Sequence, residues 1–272
     1  MLKVEGVGFH YVAGTEVLRD LSFSASAGDI VALVGRNGAG KSTLLRLLNG
    51  LLKPTRGTVT IDGNVTAETP VHLISRSIGT VFQSPEQQIF NATVRDEVMF
   101  GPRNLPITAE ERETRVREAL ERTRLTDQSA VHPLDLDQAK RRFVALASVL
   151  ATRPPALLLD EPQRGLDARG RLLLERIVLE EQAKGCCVVI VCHDMEFVAR
   201  LATRVIALSD GEISADRPPA EFFLDAKLTA GASVEAPDIL RVSQQLGLPP
   251  CLTPAAFAEA WVARSSEPAN RT

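Results

Sequence analysis

Gly35-Arg36-Asn37-Gly38-Ala39-Gly40-Lys41-Ser42, followed by Thr43, has the spacing G-x-x-x-x-G-K-[ST] of a phosphate-binding loop. Its glycines let backbone N–H groups close around a phosphate, and the N-terminus of a following helix adds positive potential. The Lys41 ammonium would reach the β- and γ-phosphates of a nucleotide, and the Ser42 hydroxyl would ligate Mg²⁺. A second set of reactive groups ends the apolar run Ala156-Leu157-Leu158-Leu159, namely Asp160 and Glu161. Downstream of a phosphate-binding loop, this pair fits an Asp that holds Mg²⁺ beside a Glu that acts as general base toward water.

These groups need strands and helices to carry them. Residues 29–34 read as a buried parallel strand leading into the loop, and residues 42–48 as a helix stopped by Gly50. Residues 2–12 form a predicted strand that delivers Tyr11, the only tyrosine, and residues 21–25 alternate like a half-buried strand. An aromatic ring upstream of such a loop can stack on adenine. Residues 57–63 run into an Asp-Gly turn, and residues 78–82 form a strand that ends at Gln83. From residue 93 to about 150 strand patterns give way to charged helical segments punctuated by Pro102, Pro106 and Pro133, as in a helical insertion between two strands of a sheet. Residues 169–181 are a predicted helix, and residues 188–192 a buried strand ending at His193. Short strands flank Asp210-Gly211, and two short helices are expected at 238–245 and 254–263.

Composition narrows the function. With 24% charged and 44% apolar residues the chain is globular, and a net charge of −3 gives no basic field for nucleic acid. No apolar run reaches the ~20 residues of a membrane helix, and the N-terminus has no signal-peptide pattern, so the chain is expected to be soluble and intracellular. The four cysteines, Cys186, Cys187, Cys192 and Cys251, lack metal spacing. Cys186, Cys187 and Cys192, in or beside the apolar run 188–191, read as small buried hydrophobes, and no disulfide framework is expected.

In chain order the loop, Gln83, Asp160-Glu161-Pro162, Gly165-Leu166-Asp167 and His193-Asp194 resemble the ABC-type ATPases, the motor subunits of ABC transporters. The resemblance spans roughly residues 2–225. It implies an α/β fold, with a P-loop NTPase core built on a parallel sheet, an N-terminal antiparallel β subdomain and an inserted helical subdomain at about 84–150. It implies that Tyr11 stacks on adenine, that Gln83 senses Mg²⁺ and the membrane partner, and that Asp160 holds the metal. By the same resemblance Glu161 is the general base, Asp167 a dimer-contact aspartate and His193 the switch histidine at the γ-phosphate. The segment from Phe82 to Phe90, then Thr93-Val94 and Glu97 to Leu105, is similar to ATPases of energy-coupling factor (ECF) transporters, which import vitamins and cobalt or nickel. The expected organisation is an ATPase domain at 2–228, a helical extension at 229–264 and a disordered tail at 265–272. ATP and Mg²⁺ are the implied cofactors. The implied partners are a transmembrane subunit, a second ABC ATPase and a separate substrate-binding membrane protein, with the chain peripheral at the cytoplasmic face of the cell membrane. Ile89 and Phe90 are expected to anchor the membrane partner.

The family's signature, Leu-Ser-Gly-Gly-Gln, is missing. The ungapped equivalent is Leu136-Asp137-Gln138-Ala139-Lys140, and a rival register at 134–138 needs a two-residue insertion. In the family this stretch faces the γ-phosphate bound by the other subunit. A carboxylate ~4 Å from a phosphate charge costs on the order of 4 kcal/mol per unit charge at an effective dielectric of 20. Asp137 is equally a good helix N-cap, and Lys140, Arg141 and Arg142 are expected to offset part of the repulsion. The altered signature favours a heterodimer with one strong and one weak site. It also leaves a regulatory ATP-binding subunit as a rival reading, alongside the ATPase of a conventional ABC transporter. Against a further rival, a soluble ABC protein acting on nucleic acid or ribosomes, the sequence shows no tandem ATPase domains, long charged linker or basic face.

Overall fold

The computed structural model describes residues 1–12 and 14–266. Its frame is a six-stranded sheet and a four-stranded sheet. The larger sheet contains β3 (Ile30–Val34), β6 (Ile78–Val81), β7 (Ala156–Asp160), β8 (Cys187–Val191), β9 (Arg204–Ser209) and β10 (Glu212–Arg217), in the spatial order β10-β9-β3-β8-β7-β6. All neighbours are parallel except the β9–β10 hairpin. Covered on both faces, such strands need apolar residues at every position, and β3 and β8 are buried along their whole length.

The antiparallel sheet has the order β2-β1-β4-β5, from β1 (Leu2–His10), β2 (Glu16–Ala25), β4 (Arg56–Ile61) and β5 (Asn64–Val65). It shares one apolar core with α1 (Lys41–Leu48) and one face of the main sheet, through Val31 and Leu33 of β3. The alternate residues Ile30, Ala32 and Val34 belong to the second core. Helices α3 (Val94–Arg103), α4 (Ala109–Arg122), α5 (Gln138–Leu150) and α6 (Ala168–Ala183) pack into that second core. Between β6 and β7 the described residues hold helices and turns and no strand. Thr93, Thr108, Asp137 and Asp167 each accept a backbone N–H at the start of α3, α4, α5 and α6 respectively, which sets where these helices begin.

Four short helices go beyond the sequence reading: α2 (Val71–Ser77), α7 (Met195–Leu201), α8 (Pro219–Leu224) and α9 (Ala226–Gly231). At six or seven residues they span too few turns to show a helical period, and each leans on tertiary contacts. The C-terminal helices are α10 (Asp238–Gln245) and α11 (Pro254–Ser266), so Ser265 lies in α11 rather than in a tail, and residues 267–272 lie outside the described residues. The N–H of Asp238 donates to Glu196 Oε1 at 2.9 Å, tying α10 to α7. All four thiols are buried, and burial pushes those of Cys186 and Cys187 up to about 12, which fits inert core residues.

Candidate active site

A cleft of about 650 Å³ opens at the carboxyl ends of β3, β6, β7 and β8. Strand register aligns its components. Leu33 of β3 and Asp160 of β7 both pair with Val191 of β8, so the loop after β3, the carboxylates after β7 and the histidine after β8 emerge at one level. A crevice at the carboxyl edge of a parallel sheet is where open α/β folds bind ligands. Asn37, Gly38, Gly40, Lys41, Ser42 and Thr43 line it from the loop, with Gln83, Asp160, Glu161 and His193 opposite. Val191 at the end of β8 lines it too, as do Val17 and Arg164, two residues the sequence pattern offered no reason to choose.

The loop's shape depends on Gly35 and Gly40. Gly35 has φ +138°, and a Cβ there would lie 2.2 Å from the backbone oxygen of Leu208. Gly35→Ala is expected to cost about 1–3 kcal/mol of stability and to weaken nucleotide binding together, because backbone cannot yield as a side chain can. A thermal melt with an ATP titration checks this; a variant that melts and binds like wild type contradicts it. Gly40 caps α1 with φ +101° and offers no side-chain cap, leaving the helix N-terminus open to an anion. Lys41 is buried, and its Nζ donates to the carbonyls of Gly35 and Arg36 at 2.7 and 2.9 Å. Burial lowers its pKa, while the charges of Glu161 and Asp160 work in the opposite direction.

Burial raises the Asp160 pKa, the Glu161 charge adds to this, and Arg46 and Lys41 oppose it. A divalent cation there would repay the buried charge. Ser42, Gln83 and Asp160 supply the hard oxygen donors that Mg²⁺ takes. Glu161 holds a left-handed backbone, φ +50°, and is buried. Its N–H donates to Val191 at 3.0 Å, which locks it to the end of β8. Its Oε1 has no hydrogen-bond partner among the described residues and lies 3.5 Å from His193 Nε2. An unpaired buried acceptor facing a polar cleft is a site for a proton donor such as water.

The sequence profile of the ABC transporter family matches residues 18–164, more than half of the chain. The chain belongs to the ABC transporter family. The energy-coupling factor transporter ATP-binding protein EcfA of Methanothermobacter thermautotrophicus is 40% identical over 239 residues, 87% of this chain and 77% of that protein. CbiO1 of Clostridium perfringens, part of the ABC transporter complex CbiONQ, has a TM-score of 0.77 at 32% identity, over 90% of this chain and 95% of that one. A dimeric ATP-binding cassette in a post-hydrolysis state, bound to ADP and Pi, has a TM-score of 0.71 at 28% identity, over 80% of this chain and 99% of that one. This chain is thus an ABC ATPase, a cassette that binds ATP and couples its hydrolysis to transport.

Other expected residues of the cassette do not line the cleft. Tyr11 is half exposed, edge-on to Phe9 at 4.9 Å, with its hydroxyl 3.2 Å from Thr43 Oγ1, so its ring sits beside the loop. Asp167 caps α6 through the Gly170 N–H at 2.7 Å. Asp137 caps α5 through the Lys140 N–H at 2.8 Å and keeps an exposed carboxylate. Of the three cations expected to offset its repulsion of a phosphate, Lys140 is the one that pairs with it among the described residues, Nζ 3.6 Å from Oδ2. Arg141 instead donates to the carbonyls of Leu136 and Leu134, and Arg142 is buried against the Glu161 carbonyl at 3.4 Å. Helical spacing sends successive side chains to different faces, which is why the three adjacent cations have different partners.

The expected Ile89-Phe90 anchor also needs correction. Ile89 is buried in the core; Phe90 is exposed and packs edge-on at 4.7 Å against Phe100, one turn from the end of α3. Glu97, itself buried, stiffens this loop by accepting from the N–H groups of Phe90 and Asn91 at 3.0 and 2.8 Å. The aromatic pair borders a groove of about 570 Å³ that runs past Gly79, Gly101 and Thr152.

Proposed function

We propose that this ABC ATPase is the energy-coupling subunit of an ECF-type importer for a vitamin or a transition-metal ion. It acts at the cytoplasmic face of the membrane with a transmembrane subunit, a separate substrate-binding membrane protein and a second ABC ATPase. The observation that carries this reading is likeness to EcfA and CbiO1 over 87–90% of the chain, against 80% for the cassette dimer. No helix among the described residues is long and apolar enough to cross a membrane.

The site residues take the following roles. Residues Gly35 to Thr43 wrap the phosphates, and Lys41 leaves its two carbonyl partners to meet the β- and γ-phosphate charge. Tyr11 stacks on adenine from beside Thr43. Ser42, Gln83 and Asp160 would hold Mg²⁺, which would supply positive charge to neutralise the phosphates there. Glu161 takes a proton from the attacking water as the water oxygen bonds to the γ-phosphorus and the bond to the β-phosphate oxygen breaks, releasing ADP. His193, 3.5 Å from the base, holds the γ-phosphate. Asp167 contacts the second ATPase.

The transmembrane partner docks in the groove beside Phe90 and Phe100, two exposed rings that form a ready anchor. Phe90→Asp with Phe100→Asp is expected to abolish co-purification with the transmembrane subunit and ATP-driven uptake in vesicles, while ATP binding by the purified chain stays unchanged. Normal uptake of cobalt, nickel and each vitamin of a panel by the double variant would remove the docking assignment. A complex that takes up none of them even with the wild-type chain would refute the ECF reading.

A further inference from the structure

We infer that Gln163 is a positioning residue for hydrolysis: its side-chain amide holds one oxygen of Glu161, so that the other stays turned to the water that attacks ATP. This rests on the proposed role of Glu161 as general base. Gln163 Nε2 donates to Glu161 Oε2 at 2.8 Å, and both residues are buried. The turn after β7 makes the contact possible. Arg164 N–H donates to the Glu161 carbonyl at 3.2 Å, which folds position 163 back toward position 161.

Stability alone does not account for this amide. Gln163 Oε1 is buried without a hydrogen-bond partner among the described residues. A buried acceptor without a partner costs free energy, so this half of the amide works against the fold. Its donor, by contrast, goes to the group that must accept a proton. A free carboxylate can rotate about its last side-chain bond and present either oxygen. With Oε2 held by Gln163, Oε1 is the oxygen left 3.5 Å from His193 Nε2 and unbonded. The base therefore enters the reaction already oriented, and misplacement of a reacting group is costly in rate.

The test is a double-mutant cycle in the assembled complex, with rates counted per nucleotide-binding site so that unfolded protein does not contribute. Gln163→Met keeps the length of the side chain and removes the donor. It is expected to lower kcat about 10- to 100-fold, with KM and the affinity for a non-hydrolysable ATP analogue within about twofold of wild type. In a Glu161→Gln background it is expected to change the residual rate no further, because its action runs through the carboxylate. Wild-type kcat in Gln163→Met overturns the inference, as does a loss that multiplies fully with that of Glu161→Gln. Wild-type turnover in Glu161→Gln alone would instead sink the base assignment on which the inference rests.

Discussion

Glu161→Gln is expected to lower steady-state ATP turnover about 10²- to 10⁴-fold while ATP binding persists. The amide is isosteric with the carboxylate and leaves the backbone lock to Val191 untouched, so the cleft keeps its form. What it loses is the acceptor at Oε1, the buried oxygen that makes no hydrogen bond. Lys41→Ala gives the opposite dissociation. It removes the one ammonium buried among the loop carbonyls, and binding itself is expected to fail, with turnover following. Measuring nucleotide affinity and turnover for both variants in the assembled complex separates the two roles. Equal rates for Glu161→Gln and wild type would remove Glu161 from the mechanism.

Much of this cleft was legible because its chemistry dictates residue types at fixed spacing. A loop that wraps phosphate needs glycines, and Gly35, pressed against Leu208, shows why no other residue serves. Apolar strands that end in Asp160, Glu161 and His193 announce a parallel sheet, whose register then levels those ends. Side-chain partnerships across turns were not legible. Nothing in the spacing of Gln163 says that it reaches Glu161, because two residues on in a chain can point anywhere until the turn is known. Ile89 and Phe90 look alike in sequence, yet one fills the core and the other faces solvent. In a short loop with no period, no pattern separates them. The directions of the basic run after Asp137 were hidden for the same reason, since only the helix geometry shows where Arg141 and Arg142 turn.

The second large effect concerns Asp137. Its carboxylate stays exposed at the start of α5, with Lys140 as its near cation. We propose a head-to-tail dimer in which each ATP lies between one subunit's phosphate loop and the other's signature stretch. A homodimer would then set Asp137 against both γ-phosphates, at a cost of up to about 4 kcal/mol per unit charge near 4 Å, reduced by solvent screening. A second subunit with an intact signature relieves the site built on this chain's Lys41, Gln83, Glu161 and His193. The site on the partner's loop would still meet Asp137 and turn over slowly. Restoring the signature by Asp137→Ser, Gln138→Gly and Ala139→Gly is expected to raise the lone chain's activity by at least about tenfold, the equivalent of 1.4 kcal/mol. Ser remains a competent N-cap, and two glycines near a helix start cost about 1 kcal/mol each at most, so the fold survives the change.

The most direct measurement is the ATPase rate of the isolated wild-type chain against its own concentration, repeated after addition of the second ABC ATPase. A rate that stays low at every concentration and appears on mixing is the predicted result. A high rate that rises as the chain associates with itself would make Leu136-Asp137-Gln138-Ala139-Lys140 a working signature and contradict the asymmetric dimer.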